Sequence, residues 1–327
     1  MPPLNIAFNP AKDIPSLLGK TILITGANTG LGKASALELA RHNPSHLWMA
    51  ARHPTKGRAA AADVQRHAPA GTAVSFLELD LSSLASVRAA ARAFLSSAAR
   101  LDILLLNAGI MGCPPAVSED GYEVQFATNH LGHALLLRLL TPLLLTTTTT
   151  TTTTADAGAA GAAATSDVRV VSLASVGYKY VTAGTIQFDT LADRDQIMDP
   201  SVVSPVQRYT QSKLANVLYA QEVARRFPQF TTVSVDPGAV ATELFSREPG
   251  DAQMETLQTT VAPQRGRPVE EGVLNPLWAA TTVQGVESGR FYEPVGKGGL
   301  EEGLALDRDL ADRLWQWTEK ALEGQEC

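Results

Sequence analysis

Cysteine is scarce in this chain: only Cys113 and Cys327 occur among 327 residues. Two thiols so far apart supply neither a disulfide framework nor the clustered ligands of a metal site, and they fit a reducing, cytoplasmic setting. Positive charge is short as well. Lys and Arg number 27 against 33 Asp and Glu, a net charge of −6, and no dense basic stripe is present to grip a polyphosphate backbone. General nucleic-acid binding is thereby excluded. The first twenty residues show no charged-then-apolar signal pattern. The longest apolar stretch, Ala134 to Leu145, is broken by Arg138 and Pro142; it falls short of the ~20 residues needed to span a bilayer. Disorder is excluded too, because 45% of the residues are hydrophobic and 18% charged, enough to build a core.

From residue 20 onward, short apolar runs alternate with helical patterns. The runs Thr21–Thr25, Leu47–Ala50, Val74–Glu78, Ile103–Leu106, Val168–Leu173 and Thr231–Val235 read as strands. Most are continuously apolar, as parallel strands covered on both faces should be. Helical periodicity fills the intervals at Leu31–His42, Gly57–His67, Leu84–Ala99, Tyr122–Leu145 and Tyr209–Phe227. This rhythm predicts an α/β fold: a Rossmann-type, doubly wound parallel sheet flanked by helices, in one domain over residues 1–327. The nine threonines Thr146–Thr154 and the Ala/Gly stretch to Ala164 are low in complexity. They read as an expanded surface loop, since doubling a loop's length costs only ~0.6 kcal/mol.

Chemistry concentrates at three places. Thr25-Gly26-Ala27-Asn28-Thr29-Gly30-Leu31-Gly32 directly follows the first strand and opens a helix. Glycines there let the backbone approach a pyrophosphate, whose charge the helix N-terminus stabilises. The second strand ends at Ala50-Ala51-Arg52, about 20 residues on, where an NAD site would carry an acid for the ribose 2′-hydroxyl. Arg52 stands there instead, with Lys56 and Lys33 as helpers, suited to pairing with a 2′-phosphate. NADP(H) is therefore expected rather than NAD(H). Finally, Tyr209 and Lys213, four residues apart, share the inward face of one helix. A free phenol has a pKa near ~10; an ammonium one turn away is expected to lower it and make Tyr209 a usable acid/base. Ser175, just past the fifth strand, is placed to hold a carbonyl or alcohol oxygen. His130 and His133 have helical spacing but no third ligand, so helix packing is expected and no metal. Cys113 has no activating base beside it and is read as inert. Trp315 and Trp317 read as packing anchors of a final helix.

The ordered set of Thr25–Gly32, Asp80, Asn107-Ala108-Gly109, Asn129, Ser175, Tyr209-x-x-x-Lys213 and Pro237-Gly238 with Thr242 resembles the short-chain dehydrogenase/reductase family over residues 20–300. QSKLANVLYAQEVARRF and FYEPVGKGG are similar to its retinol dehydrogenase-like, protochlorophyllide reductase-like and fungal members. The resemblance implies roles. Tyr209 would be the catalytic acid/base and Ser175 the substrate-oxygen donor. Lys213 would bind the nicotinamide ribose, and Asn129 would hold a water that relays protons from it. Asp80 and Leu81 would meet the adenine, and Asn107 to Gly109 would support the sheet near the adenosine ribose. Pro237, Gly238 and Val240 would line the nicotinamide, with Thr242 near its carboxamide. Asp236, before Pro237, has no implied role.

The expected activity is carbonyl–alcohol interconversion on a medium-sized, lipophilic small molecule, run as reduction, by a homodimer or a monomer. A catalytically silent cofactor-binding protein and an epimerase or dehydratase on the same fold are the alternatives. Residues 243–268 should form much of the substrate wall. The long interval between Ser175 and Tyr209 holds an insertion, about 177–207. It is expected either to form a flap over the pocket or to cover the helix face that relatives use for pairing.

Overall fold

The computed structural model describes residues 6–155, 168–240, 242, 244 and 249–326. Eight strands form one sheet: β1 (Thr21–Thr25), β2 (His46–Ala51), β3 (Ala73–Glu78), β4 (Ile103–Leu106), β5 (Arg169–Leu173), β6 (Thr231–Val235), β7 (Phe291–Glu293) and β8 (Lys297–Gly298). Their order is β3-β2-β1-β4-β5-β6-β7-β8, parallel throughout until β8 turns back antiparallel to β7. The six predicted strands are present to within a residue or so at each end. β7 and β8 were missed, since two or three residues are too few to show a period. They are strands because Phe291 and Tyr292 pair with Ser234 and Val235 at the sheet's open side.

Side chains alternate across the sheet, so each strand feeds two cores. Leu23, Leu104 and Val170 face α3 (Leu84–Ser97), α4 (Gly132–Ala155) and α5 (Pro205–Arg226). Ile22, Ile24, Leu105 and Val171 face α1 (Gly30–Arg41), α2 (Pro54–His67) and α6 (Leu274–Thr281). From β1 the chain winds outward to β2 and β3, then returns to place β4 on β1's other side. The connections therefore diverge between β1 and β4 and leave a crevice beyond the strands' carboxyl ends.

The threonine tract is not the expected loop. α4 runs on through it to Ala155, while residues 156–164 of the expected loop lie outside the described residues. Thr146 and Thr147 donate their hydroxyls to the carbonyls of Pro142 and Leu143 at 2.9 and 2.8 Å, and Thr148 and Thr149 bond three residues back. Each hydroxyl thus finds an acceptor within the helix, which continues the buried leucine run instead of breaking from it. Thr147 also accepts the Leu101 N–H at 3.0 Å in a buried position. Thr147→Val keeps the shape and strands that N–H, so a loss of ~1–3 kcal/mol in denaturant unfolding is expected. Exposed Thr149→Val should change stability by less than ~0.5 kcal/mol.

The apolar helical stretch Val124–Thr149 is long enough to cross a membrane, but two-thirds of its apolar 18-residue window is buried inside the fold. Its neighbours include a final helix, α7 (Arg308–Ala321), anchored as expected by its tryptophans. Trp315 stacks on Tyr219 at 5.1 Å, and Trp317 meets Phe126 edge-on at 5.5 Å. Among the described residues, none from 177 to 207 borders the crevice. That insertion instead buries Tyr178, Ile186, Leu191 and Ile197 and covers α5. Gln207 and Gln211 of α5 accept the Thr182 and Gln187 N–H groups at 3.0 and 2.8 Å. The segment thus follows the covering alternative over most of its length, with Val206 at its end packing beside Met111, Tyr209 and Met254.

Candidate active site

After β1 the chain turns through Gly26 and Gly30, with φ of +63° and +53°, values that disfavour any residue with a Cβ. Gly32 then packs so tightly that a Cβ there would lie 2.3 Å from the Gly26 carbonyl oxygen. Asn107 secures this turn by donating its side-chain amide to the Thr25 carbonyl at 2.8 Å. The result is a cleft of about 660 Å³ at the divergence of β1 and β4.

Gly26, Asn28, Thr29, Gly30, Leu31 and Gly32 border it at the glycine turn; Arg52, Lys56, Asp80 and Leu81 form one flank. Asn107, Ala108 and Gly109 lie between, and Tyr209, Lys213, Pro237 and Thr242 close the other end. Six expected residues stand off the cleft. Thr25 is fully buried, accepts the Asn107 and Ala108 N–H groups at 2.9 and 3.0 Å, and bonds His133 Nε2 at 2.8 Å. It supports the turn and does not touch the cavity. Val240 is buried and packs toward Gly272, because the chain there pairs with Arg267. Gly238, φ +81°, carries the chain round behind Pro237. Asn129 is fully buried behind Gly109, and Ser175 is half-buried beside the Tyr209 ring without bordering the cavity itself. Lys33, expected to assist Arg52, is held by Asp63 at 2.6 Å and does not border the cleft.

Asn129 lies in a π-helical turn, Ala127–Leu131, that precedes α4. Its amide donates to the Ile110 carbonyl and the Ser212 hydroxyl, both at 2.9 Å, and its Oδ1 accepts the Ile110 N–H at 2.8 Å. A Cβ on Gly109 would lie 3.3 Å from that Oδ1 and 3.6 Å from Lys213 Nζ, so both polar atoms lie close to the Gly109 backbone. Asn129 Oδ1 keeps one acceptor site in reserve.

Lys213 is buried, donates to the Leu173 carbonyl at 2.9 Å, and lies 5.6 Å from the centre of the Tyr209 ring. Burial pulls its ammonium down to about 8, against an opposing pull from Asp236. The Tyr209 phenol corrects the sequence-based expectation: burial pushes it well above its ordinary value. The ammonium does not win, because the cost of desolvating a phenolate is the larger effect and the amine is directed at a carbonyl. What favours ionisation here is the Ser175 hydroxyl, which lies beside the Tyr209 ring at Gly177 and accepts the Gly177 N–H at 3.0 Å.

Sequence reasoning missed the wall formed by Pro114, Pro115 and Ala116 beside Cys113, with Val124 and Thr128. It follows β4, a position common to all Rossmann crevices, but carries no motif of its own. His53 and Ser82, each next to an expected residue, also border the flank. Of the proposed substrate wall, Leu244 reaches the cleft, and Met254 packs with Met111 and Tyr209. Phe245, Arg247 and Glu248 lie outside the described residues. Among the described residues no cluster of three metal-ligating side chains occurs. His133 bonds Thr25 and the Asn129 carbonyl; His130 bonds Thr318; burial lowers them to about 4 and about 3. Both are neutral packing residues at physiological pH.

Comparison with known proteins adds an independent line. Residues 20–164 match the family model described as short chain dehydrogenase. The chain is 34% identical over 324 residues to short-chain dehydrogenase/reductase drtF of Aspergillus calidoustus, covering 96% of each protein. It is 36% identical over 325 residues to human retinol dehydrogenase 14, covering 93% of this chain and 87% of that one. Among solved structures, an uncharacterized protein from Mycobacterium paratuberculosis shares 30% identity, 97% coverage of both chains and a TM-score of 0.68.

Proposed function

The chain belongs to the short-chain dehydrogenase/reductase family of nicotinamide-dependent oxidoreductases, and on that premise we propose that it is an NADP(H)-dependent carbonyl reductase acting on a medium-sized, lipophilic ketone or aldehyde. The observation that carries this reading is that Tyr209 and Lys213 close one end of a glycine-cradled cleft, with the Ser175 hydroxyl beside the Tyr209 ring.

The residues fit a dinucleotide. A Cβ at Gly26 or Gly32 would collide with Ala108 or with the turn's own carbonyl, and Gly30 takes a left-handed φ, so the turn keeps bare backbone that is free to approach a diphosphate at the start of α1. Arg52 and Lys56 border the flank where a 2′-phosphate would lie. A bound nicotinamide would give or take the hydride. The chain's own work is to orient and to move a proton. Ser175 and Tyr209 would grip the substrate oxygen together. A phenol raised by burial stays protonated at neutral pH and is ready to donate to that oxygen, the state that reduction requires. Lys213 would hold the ribose, and the spare acceptor of Asn129 faces it across Gly109 as the next station for a proton. Leu244, Val124 and the Pro114–Pro115 wall, without a charged side chain among them, favour an apolar substrate body.

Purified protein mixed with NADPH and a panel of ketones and aldehydes should oxidise NADPH, followed by its absorbance. Binding without turnover would make it a silent cofactor-binding protein. Arg52→Ala should weaken NADPH by roughly 10–100-fold, the value of one charge-assisted contact, and leave NADH within about threefold. Equal losses for both cofactors in a fluorescence titration would count against the NADP reading.

A further inference from the structure

A buried side chain with no part in the proton path or the cofactor cradle lies between the loop after β4 and the helix that carries Tyr209. Gln125 sits in the short helical turn Val124–Phe126, four residues before Asn129, and is fully buried. Both ends of its amide are engaged. Oε1 accepts the Gly112 N–H at 2.8 Å, and Nε2 donates to the Pro205 carbonyl at 2.9 Å. Gly112 opens the Cys113–Ala116 wall of the cleft, and Pro205 begins α5 one helical turn before Tyr209. One amide thus spans from the substrate wall to the phenol's helix.

The wall is an arch from Gly112 to Ala116, pinned at both feet by the same short turn. Gln125 holds the first foot; at the second, the Val124 N–H donates to the Ala116 carbonyl at 3.0 Å. The Gly112 carbonyl carries the joint further, accepting the Gly250 N–H at 2.7 Å. Four residues on from Gly250, the fully buried Met254 packs with Met111 and Tyr209. Space is tight on both sides. Gly112 has φ +57°, and a Cβ there would run into the Met254 sulfur. A Cβ on Gly250 would lie 2.6 Å from the Cys113 carbonyl oxygen and 2.7 Å from Pro205 Cγ. The wall, α5 and the Gly250–Met254 segment therefore meet where Gln125 ties the first two together. An apolar side chain in its place would leave the buried Gly112 N–H unpaired.

We propose that Gln125 is a positioning residue of the active site. Its amide sets the distance between the substrate wall and Tyr209 and, through Gly112, seats the Gly250–Met254 segment against both. This role rests on those given above to Tyr209 and the wall.

Gln125→Leu keeps most of the volume and removes both bonds. Its kcat/KM for a ketone that the wild type reduces should fall by about 10–100-fold, the effect of misplacing reacting groups by about an ångström. NADPH affinity in a fluorescence titration should stay within about threefold, because the glycine turn and Arg52 are untouched. Thr147→Val is the control. It strands the Leu101 N–H as Gln125→Leu strands that of Gly112, but away from the cleft. It should lower Tm and leave kcat/KM within about twofold. For Gln125→Leu, a kcat/KM within about threefold of wild type overturns the proposal whatever Tm does. An equal loss of NADPH affinity also overturns it, since that marks a general loosening. Should the variant not fold, two measurements decide without it. The Gly112 amide of the wild type should exchange at least about 100-fold slower than an exposed loop amide. Gly250→Ala, which parts the same joint, should lower kcat/KM at least about tenfold. Failure of either overturns the proposal. A wild type that binds NADPH but reduces nothing in the panel defeats the reductase reading alone, and exchange then judges Gln125. In Gln125→Leu the Gly250 amide should lose at least about tenfold of its protection along with that of Gly112. An unchanged Gly250 amide overturns the proposal.

Discussion

Tyr209→Phe is expected to lower turnover by at least ~1,000-fold, within the range that a positioned general acid supplies, while NADPH still binds within about threefold of wild type. The substitution is selective for physical reasons. The ring is buried against Met111 and Met254, contacts that phenylalanine preserves. Only the hydroxyl is lost, and its partner Ser175 still has the Gly177 N–H to accept. Because burial keeps the wild-type phenol protonated, raising the pH from 6 to 7.5 should not by itself remove the proton to be donated. Single-turnover measurement of NADPH oxidation separates binding from chemistry. Residual activity above a tenth of wild type would show that the proton comes from elsewhere.

Gly32→Ala should abolish saturable NADPH binding, a loss of ~100-fold or more, and lower Tm by an amount corresponding to ~1–3 kcal/mol of overpacking. The added Cβ would lie 2.3 Å from a backbone oxygen of Gly26 and 2.5 Å from Asn107 Nδ2. Neither can swing aside. The oxygen belongs to the turn itself, and the amide is tied to the Thr25 carbonyl. Relief requires the turn to open, and the same turn shapes the cleft where the diphosphate would lie. Isothermal titration with NADPH and a thermal melt read the two effects separately. Affinity within threefold of wild type would mean that this turn does not hold the cofactor.

The β1 turn and the Tyr209–Lys213 pair were legible because their chemistry is local: glycine spacing is set by backbone sterics, and four-residue spacing by the helical repeat. The threonine tract misled because composition alone cannot tell a loop from a helix whose hydroxyls bond their own carbonyls. Thr25 and Val240 misled for another reason. Both belong to motifs whose resemblance implied a place at the cofactor, but a motif does not state which way each of its side chains points. Lys33 sits one residue past the glycine turn, and nothing in its neighbours foretold that Asp63, on the next helix, would hold it.

Taken alone, the order of residues determined the alternating α/β architecture, the place of the glycine turn, the basic residue after the second strand, and the helix that carries phenol and ammonium. These follow from short-range periodicity and from backbone conformations that few residues tolerate. Tertiary structure decided which polar groups are dry. Burial raises the Tyr209 phenol, lowers the Lys213 ammonium and raises the carboxyl of Asp236, a residue with no sequence signal. Desolvation depends on everything packed around a group, contributed by segments far apart along the chain, and no local pattern encodes that sum.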